Sequence, residues 1–519
     1  MKKALILFVV VMLAVPVLSY AGSVDSRWDL TIGGMVKLDV QWANQTVNPL
    51  VTFAERSSGT WVSSRDKNSA LTWGAGESRL NFLVKGPDTW GAKTQAFIEG
   101  DFQREPVYSQ DQSIKAEIES YGTFALRHAF MRFDWPTLSV VAGQTWSVPG
   151  IMPCFCLLTA ADFGVFNKGA FLPQIYGVWQ ATKKFSVTAG VMSAYEPTKG
   201  VGGTPTNGLA LDQASYSQLP NFFAELNYKT DACGKIGPWM LQFGLGGLYG
   251  HEKDLAPSSP GGLTSSPASN FAQYFDKAGY DSTDVKTWML TFKAYIPIIP
   301  EKSPGKLAHS LALAGSGFTG QNMRELFAPA PWFGGMTTYN RAPLLNGQSA
   351  AGGSFTSPIQ GRASYVAPVA TGGWAQLSFY WTDTLWSGFY YGQAQIRKSA
   401  ASSSSAGLGQ GYQTVVVTSG ANGTSTSFVT LGDFSALAQG PMTTPDNVQN
   451  YVVNLIYDPN AAIRLGIEYS HITTHYPITV QGAIATGSTS SPTVVQIPNG
   501  ALKNSGSVDA IHFAAVYFF

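Results

Sequence analysis

Charge is what this chain has least of. Only 13% of its 519 residues are Asp, Glu, Lys or Arg, about half the roughly 25% typical of soluble proteins. That is too little to coat a soluble surface of this size. Long apolar runs are missing as well. After residue 21 no stretch of 18 consecutive apolar residues occurs, so transmembrane helices are excluded from the sequence beyond it. Cysteine is scarce, with three residues, which excludes a disulfide framework. An excess of either sign is absent too. Without Lys2 and Lys3, the 33 basic residues become 31 against 32 acidic ones, so nothing favours nucleic acid or an anionic surface as partner.

What is present is aromatic side chains at 13%, 55 glycines and a mean hydropathy near zero. Strands with one face toward lipid and one toward water produce such an average. The first 21 residues read as a cleaved signal peptide. Lys2 and Lys3 precede an apolar run over 4–18, and Ser19 and Ala21 supply small residues before the cut.

Alternation begins at once in the remainder. Leu30, Ile32, Gly34, Val36, Leu38, Val40 and Trp42 share one face; Thr31, Gly33, Met35, Lys37, Asp39 and Gln41 share the other. Such a run is long for a soluble strand and suits one crossing a bilayer at a tilt. The pattern recurs over 185–192, 221–228, 241–249, 375–381 and 463–470. Short connections rich in Gly, Pro, Asp and Asn are expected at 86–91, 134–137, 182–184, 229–238, 297–305, 382–384 and 458–460. Long Ser/Gly/Pro-rich ones fill 46–76, 103–122, 147–172, 194–219, 250–284, 318–371, 397–449 and 473–506. Seven short and eight long connections imply sixteen strands, although the long loops are able to hide a further hairpin. The expected fold is all-β: one transmembrane antiparallel β-barrel over 22–519, with short periplasmic turns and long extracellular loops.

Aromatics beside the short turns (Trp90, Trp135, Tyr228, Trp239, Trp381, Tyr457 and Phe519) are expected to form one interfacial girdle, with Trp42, Tyr249 and Tyr469 in the second. The chain ends with Ile511, Phe513, Ala515, Tyr517 and Phe519 on one face. This ending resembles the C-terminal signal read by the outer-membrane barrel assembly machinery. A narrower likeness lies in SRLNFLVKG at 78–86, LRHAFMRF at 126–133 and VVAGQTWS at 140–147. These segments resemble the DcaP-like porins, trimeric outer-membrane channels, over about the first third of the chain plus the last strand. The resemblance implies the outer membrane of a Gram-negative bacterium, a homotrimer and a preference for anionic solutes. That family's helical N-terminal extension has no counterpart, since only 22–27 separate the leader from the first strand.

Parity assigns the wall charges. Lys37, Asp39, Arg79, Lys85, Lys93, Glu99, Asp101, Arg132, Glu225, Lys293, Arg464 and Glu468 lie opposite the apolar faces and are expected to line a water-filled pore, because a charge at mid-bilayer costs about 2–4 kcal/mol for Arg or Lys. Opposite signs across the lumen would sort solutes by dipole and charge. Arg79, Arg132 and Arg464 are the expected anion contacts, since guanidinium forks onto carboxylates. The third long loop, 147–172, is the candidate constriction, carrying Asp162 and Lys168 among apolar residues. It either forms a narrow, weakly charged eyelet or packs against the wall or a neighbouring subunit.

No enzyme signature is found. Cys154 and Cys156 lack the spacing of a haem or metal site, and Cys233 falls in an expected turn. His471 and His475 sit at a strand end, short of the three or four ligands a metal needs. The reading is a non-enzymatic porin passing small hydrophilic solutes without metal or cofactor, surrounded by outer-membrane lipid. The alternative is a barrel that sleeves another protein, such as an electron-transfer cytochrome.

Overall fold

The structure is a computed structural model. It describes residues 28–45, 69–102, 124–150, 152, 166, 171–193, 219–254, 283–321, 339–340, 365–366, 369–397, 447–475, 482–488, 491–497 and 505–519. The expected leader at 1–21 lies outside the described residues.

Sixteen strands close into one antiparallel barrel. They are β1 (Asp29–Ala43), β2 in two halves (Ala70–Gly74 and Arg79–Lys85), β3 (Lys93–Asp101), β4 (Ala125–Asp134), β5 (Leu138–Trp146), β6 (Phe171–Gln180), β7 (Phe185–Met192) and β8 (Asn221–Ile236). The second half comprises β9 (Trp239–Asp254), β10 (Thr283–Ile299), β11 (Leu311–Gln321), β12 (Val369–Tyr380), β13 (Leu385–Arg397), β14 (Asn447–Asn460), β15 (Ile463–His475) and β16 (Ser505–Phe518). Each strand pairs with its chain neighbours. β16 pairs with β1 from Met35↔Phe518 to Ala43↔Ala510 and closes the ring. At its end, Gly34 and Phe519 exchange both backbone hydrogen bonds, at 3.0 and 3.1 Å.

The outward face is the apolar set read from the sequence. Leu30, Ile32, Val36, Leu38 and Trp42 on β1, and Leu465, Ile467, Ile511, Phe513 and Tyr517 on β15 and β16, are all exposed. Their neighbours in sequence turn inward, and many are buried, among them Lys37, Glu225, Gln376, Asn454 and His512. Trp90, Tyr228, Trp381, Tyr457 and Phe519 form an exposed aromatic ring at the short-turn end, and Trp42, Tyr249 and Tyr469 are exposed toward the other. Trp239 departs from this plan and packs on buried Tyr295, ring centroids 5.8 Å apart.

Three turns differ from the sequence reading; the connection expected at 458–460 moves to 461–462, because β14 runs on to Asn460. The connection expected at 229–238 shrinks to Gly237-Pro238, because β8 and β9 run on to Ile236 and Trp239. The register jumps from Met240↔Lys235 to Leu241↔Thr230, so 231–234 bulge out of the ladder and carry exposed Cys233 with them. The connection expected at 297–305 moves to 300–310. Pro297 stays in β10 at a second register shift, the place where a strand tolerates a residue without an N–H. The turn between β2 and β3 places Trp90 and Gly91 at φ 53° and 74°, the positive-φ pair of a two-residue hairpin loop. Trp90 is held there by Trp135, whose indole N–H donates to the Trp90 carbonyl at 3.0 Å. Two hairpins outside the barrel sheet lie within long connections: Tyr339–Asn340 with Tyr365–Val366, and Gly482–Ser488 with Ser491–Ile497.

Two tests follow from this architecture. Ile467→Arg puts a guanidinium on the lipid face and is expected to destabilise the barrel by about 2–4 kcal/mol, read as a lowered urea midpoint in lipid vesicles, whereas Ser303→Arg in an exposed turn changes it little. The second concerns Asp383, which accepts from Ala308 N at 2.9 Å and from Lys306 Nζ at 3.3 Å. These bonds, the backbone one foremost, hold its carboxyl below the usual carboxylate range. Such a group stabilises the fold above its ordinary pKa, and the contribution disappears as pH falls through the depressed value. The gap in urea midpoint between wild type and Asp383→Asn is therefore expected at neutral pH and should close on acidification.

Candidate functional site

The bore is lined by three clusters of paired charge. The first sits at the seam. Lys37 of β1 pairs with Glu77 and, at 3.0 Å, with Asp39. Glu77 comes from the break between the halves of β2, where Ser78 Oγ accepts from Lys37 N at 3.0 Å. Asp39 also meets His512 Nε2 of β16 at 2.7 Å. Strands from the two ends of the chain are thus joined by side chains as well as by the ladder.

The second cluster depends on a bulge. The register between β3 and β4 slips between Glu99 and Gly100, leaving Arg127 as the extra residue. A bulge re-aims a side chain, and Arg127 points inward although parity assigns it to lipid. Its Nε meets Glu99 at 3.0 Å and its Nη1 meets Asp101 at 2.5 Å, with the guanidinium 4.7 Å from the Phe171 ring centre. His128 beside it bonds Thr145 Oγ1 at 2.9 Å. Arg79 faces inward in register with Asp101.

The third cluster holds the candidate constriction loop. Glu225 of β8 receives Lys293 Nζ of β10 at 2.6 Å, Asn227 Nδ2 at 2.8 Å and the backbone N–H of Gly150 at 2.6 Å. Ser316 Oγ of β11 donates to the Gly150 carbonyl at 3.1 Å. The wall leaves room for this approach: a Cβ at Gly246 would meet Pro149 at 2.4 Å. Farther along the loop, Phe166 has no exposed surface and lies against Gly392 of β13, where an added Cβ would stand 2.1 Å from its ring. The loop leaves β5 and returns to β6. β13 lies eight strands beyond β5 in a ring of sixteen, on the opposite wall. A residue of this loop that touches β13 has crossed the bore.

Of the remaining expected wall charges, Glu468 is in register with His512 of the seam, and the others lie nearer the short turns. Arg132 is spent on Asp134 at 2.8 Å. Arg464 binds Asp458 through both Nε (2.9 Å) and Nη2 (3.1 Å). Lys85 and Lys93 are exposed at the short-turn mouth. Glu468 accepts from Asn454 at 3.1 Å. Asp162, Lys168, Cys154 and Cys156 fall outside the described residues. His471 lies on the outward face and is engaged by Asp509 and Thr473, at 2.7 and 3.2 Å; His475, four residues on, is on the same face.

The inward face is not polar throughout, as a uniform aqueous lining requires. From β11 to β16 it carries Phe318, Trp374, Tyr390, Val452, Ile456 and Ile472, all buried. Along the same strands these apolar residues alternate with buried polar ones, among them Ser316, Gln376, Asn454 and Glu468. Sequence parity missed Glu77 and Arg127; it puts His512 opposite Ile511 and Phe513, although His512 was not among the expected wall residues. For Arg127 a signal existed: Arg127-His128 breaks strict alternation with two adjacent polar residues, as a bulge does.

No family model and no curated protein matches the chain. Solved structures do. The outer membrane channel DcaP of Acinetobacter baumannii aligns over 96% of this chain and 99% of its own, at 13% identity and a TM-score of 0.55. The fold is that of an outer-membrane porin. An anion-selective porin from Comamonas acidovorans aligns over 95% and 100% of the two chains at 11% identity (TM-score 0.45), and OprB of Pseudomonas putida over 95% and 94% at 9% (TM-score 0.47).

In this porin fold the Glu225–Lys293 pair is the buried link between wall and loop. Removing one partner of such a pair costs about 3–5 kcal/mol, because the other charge is left desolvated. Lys293→Met is expected to lower the urea midpoint by that order. The double variant Lys293→Met/Glu225→Leu should recover part of it, and strict additivity in the cycle would show that the pair is not coupled.

Proposed function

We propose that the protein is an outer-membrane channel for passive diffusion of small hydrophilic solutes, narrowed by the 147–172 loop. The carrying observation is the seating of Pro149, Gly150 and Phe166 inside a closed sixteen-stranded barrel, on walls the loop reaches only through the bore. Sixteen strands enclose an aqueous lumen, and a strap across it sets the size limit. The short turns face the periplasm in this reading, and the barrel assembly machinery receives the strand that ends at Phe519. The working form is a homotrimer, as the DcaP-like segments imply.

A mild preference for anions belongs to the same reading. It is carried by Lys85 and Lys93 at the short-turn mouth, since Arg132 and Arg464 are neutralised by Asp134 and Asp458. The packed loop also argues against a sleeve, because a second protein would have to displace it.

Planar-bilayer recording tests the proposal. The pure protein is expected to give discrete conductance steps, and Glu225→Ala is expected to enlarge them by releasing Gly150. Lys85→Glu/Lys93→Glu should shift the reversal potential in a KCl gradient toward cation preference. A barrel silent in both wild-type and Glu225→Ala forms would refute the channel.

A further inference from the structure

On the far wall one row of inward positions runs Ser316, Trp374, Gly392, Asn450 and Ile472, neighbours across β11 to β15. Gly392 has no side chain, so the row has a gap there. The gap is filled by Phe166 from the loop, and Tyr390 flanks it: a Cβ on Gly392 would stand 2.9 Å from the Tyr390 hydroxyl. Trp374 stacks on Tyr390 with ring centroids 5.7 Å apart.

Phe166 fits the gap in shape and not in chemistry. Trp374, 5% exposed, has its indole Nε1–H buried without an acceptor. Asn450, 3% exposed, has its Oδ1 buried without a donor. A phenyl ring offers neither. Buried polar groups left unmet are costly and are normally paired. Here the unmet donor and the unmet acceptor belong to the two residues that flank Gly392 across the ladder, and the space over Gly392 is held by an apolar ring on a loop.

We infer that this gap is a binding slot for a neutral, planar aromatic solute bearing one hydrogen-bond acceptor and one donor, and that Phe166 is its displaceable plug. The acceptor would take the Trp374 N–H, the donor would reach Asn450 Oδ1, and the ring would lie on Gly392 beside Tyr390. None of the four wall residues is charged, so the slot discriminates against ions. The inference rests on the loop lying in the bore and does not need the barrel to conduct.

The probe is nicotinamide, a neutral ring with an amide acceptor and donor, measured by ligand-observed NMR on the detergent-folded full chain. Phe166→Ala is expected to tighten its binding about tenfold, the scale of one or two hydrogen bonds no longer contested. Adding Trp374→Phe or Asn450→Leu should take back most of that gain. Gly392→Ala should abolish binding in the Phe166→Ala background by filling the floor. Folding of each variant is checked by heat-modifiable migration, and Phe166→Leu, expected to act in the same direction with smaller effect, serves if the alanine form does not fold. Unchanged affinity on trimming Phe166, or equal binding of the anion nicotinate, would overturn the slot. Because no current is measured, a silent barrel that binds nicotinamide refutes the channel and keeps the slot; a conducting barrel that binds none does the reverse.

Discussion

Everything in this molecule depends on the closing ladder between β1 and β16. Inside hydrocarbon no water is available to an unpaired backbone N–H or carbonyl, so a sheet survives there only without edges. Nine residue pairs from Met35↔Phe518 to Ala43↔Ala510 remove the last two edges. The polar contacts at that seam follow from the same constraint. Lys37, Asp39, Glu77 and His512 face inward because facing outward would put charge in lipid, and once inside they are close enough to bind one another. The carboxylates answer the ammonium, so the seam gains side-chain ties where a slip of one residue would turn Val36 inward and Lys37 out.

Closure also explains why much of the fold was legible in the sequence and part of the site was not. A lipid face must be apolar at every second residue, which makes parity a reliable guide from Leu30 to Trp42 and from Ile511 to Phe519. The interior is under no such rule. It accepts Lys293 and Ile472 alike, so inward positions carry little signal about what they do. Arg127 was invisible to parity because a bulge shifts the phase by one residue, and Glu77 because it stands in a break between half-strands. The turn at 237–238 was blurred for a related reason: the bulged residues 231–234 look like a turn, while the ladder resumes beyond them at Lys235.

Inside, the charges are arranged to cancel locally. Arg127 has Glu99 and Asp101, Lys293 has Glu225, Arg132 has Asp134 and Arg464 has Asp458. Each pair relieves the desolvation of its members, and each weakens the long-range field that the bare sequence suggests. Four basic residues on a wall do not make an anion path when a carboxylate lies within 3 Å of each. In the proposed reading the charge left to act on solutes is that of the exposed lysines at the short-turn mouth, where screening by salt is also greatest.

The loop joins these two themes. It is anchored by Gly150 to a charged pair on one side of the bore, and it presents Phe166 to uncharged residues on the other. A strap held at both ends resists displacement by a large solute more than a free loop would. The two anchors differ in kind. The Gly150 amide meets an ionised carboxylate at 2.6 Å, a charge-assisted bond of the stronger sort, and that carboxylate is itself fixed by Lys293 and Asn227. Among the described residues the Phe166 ring is seen only packed on Gly392, beside Trp374 Nε1 and Asn450 Oδ1 that stand unmet. In the slot inferred above, the Gly150 side is the end that stays and the Phe166 side the end that yields. On that proposal, the strap would narrow the bore at rest while its weaker end exchanges for a ligand that supplies what the phenyl ring lacks.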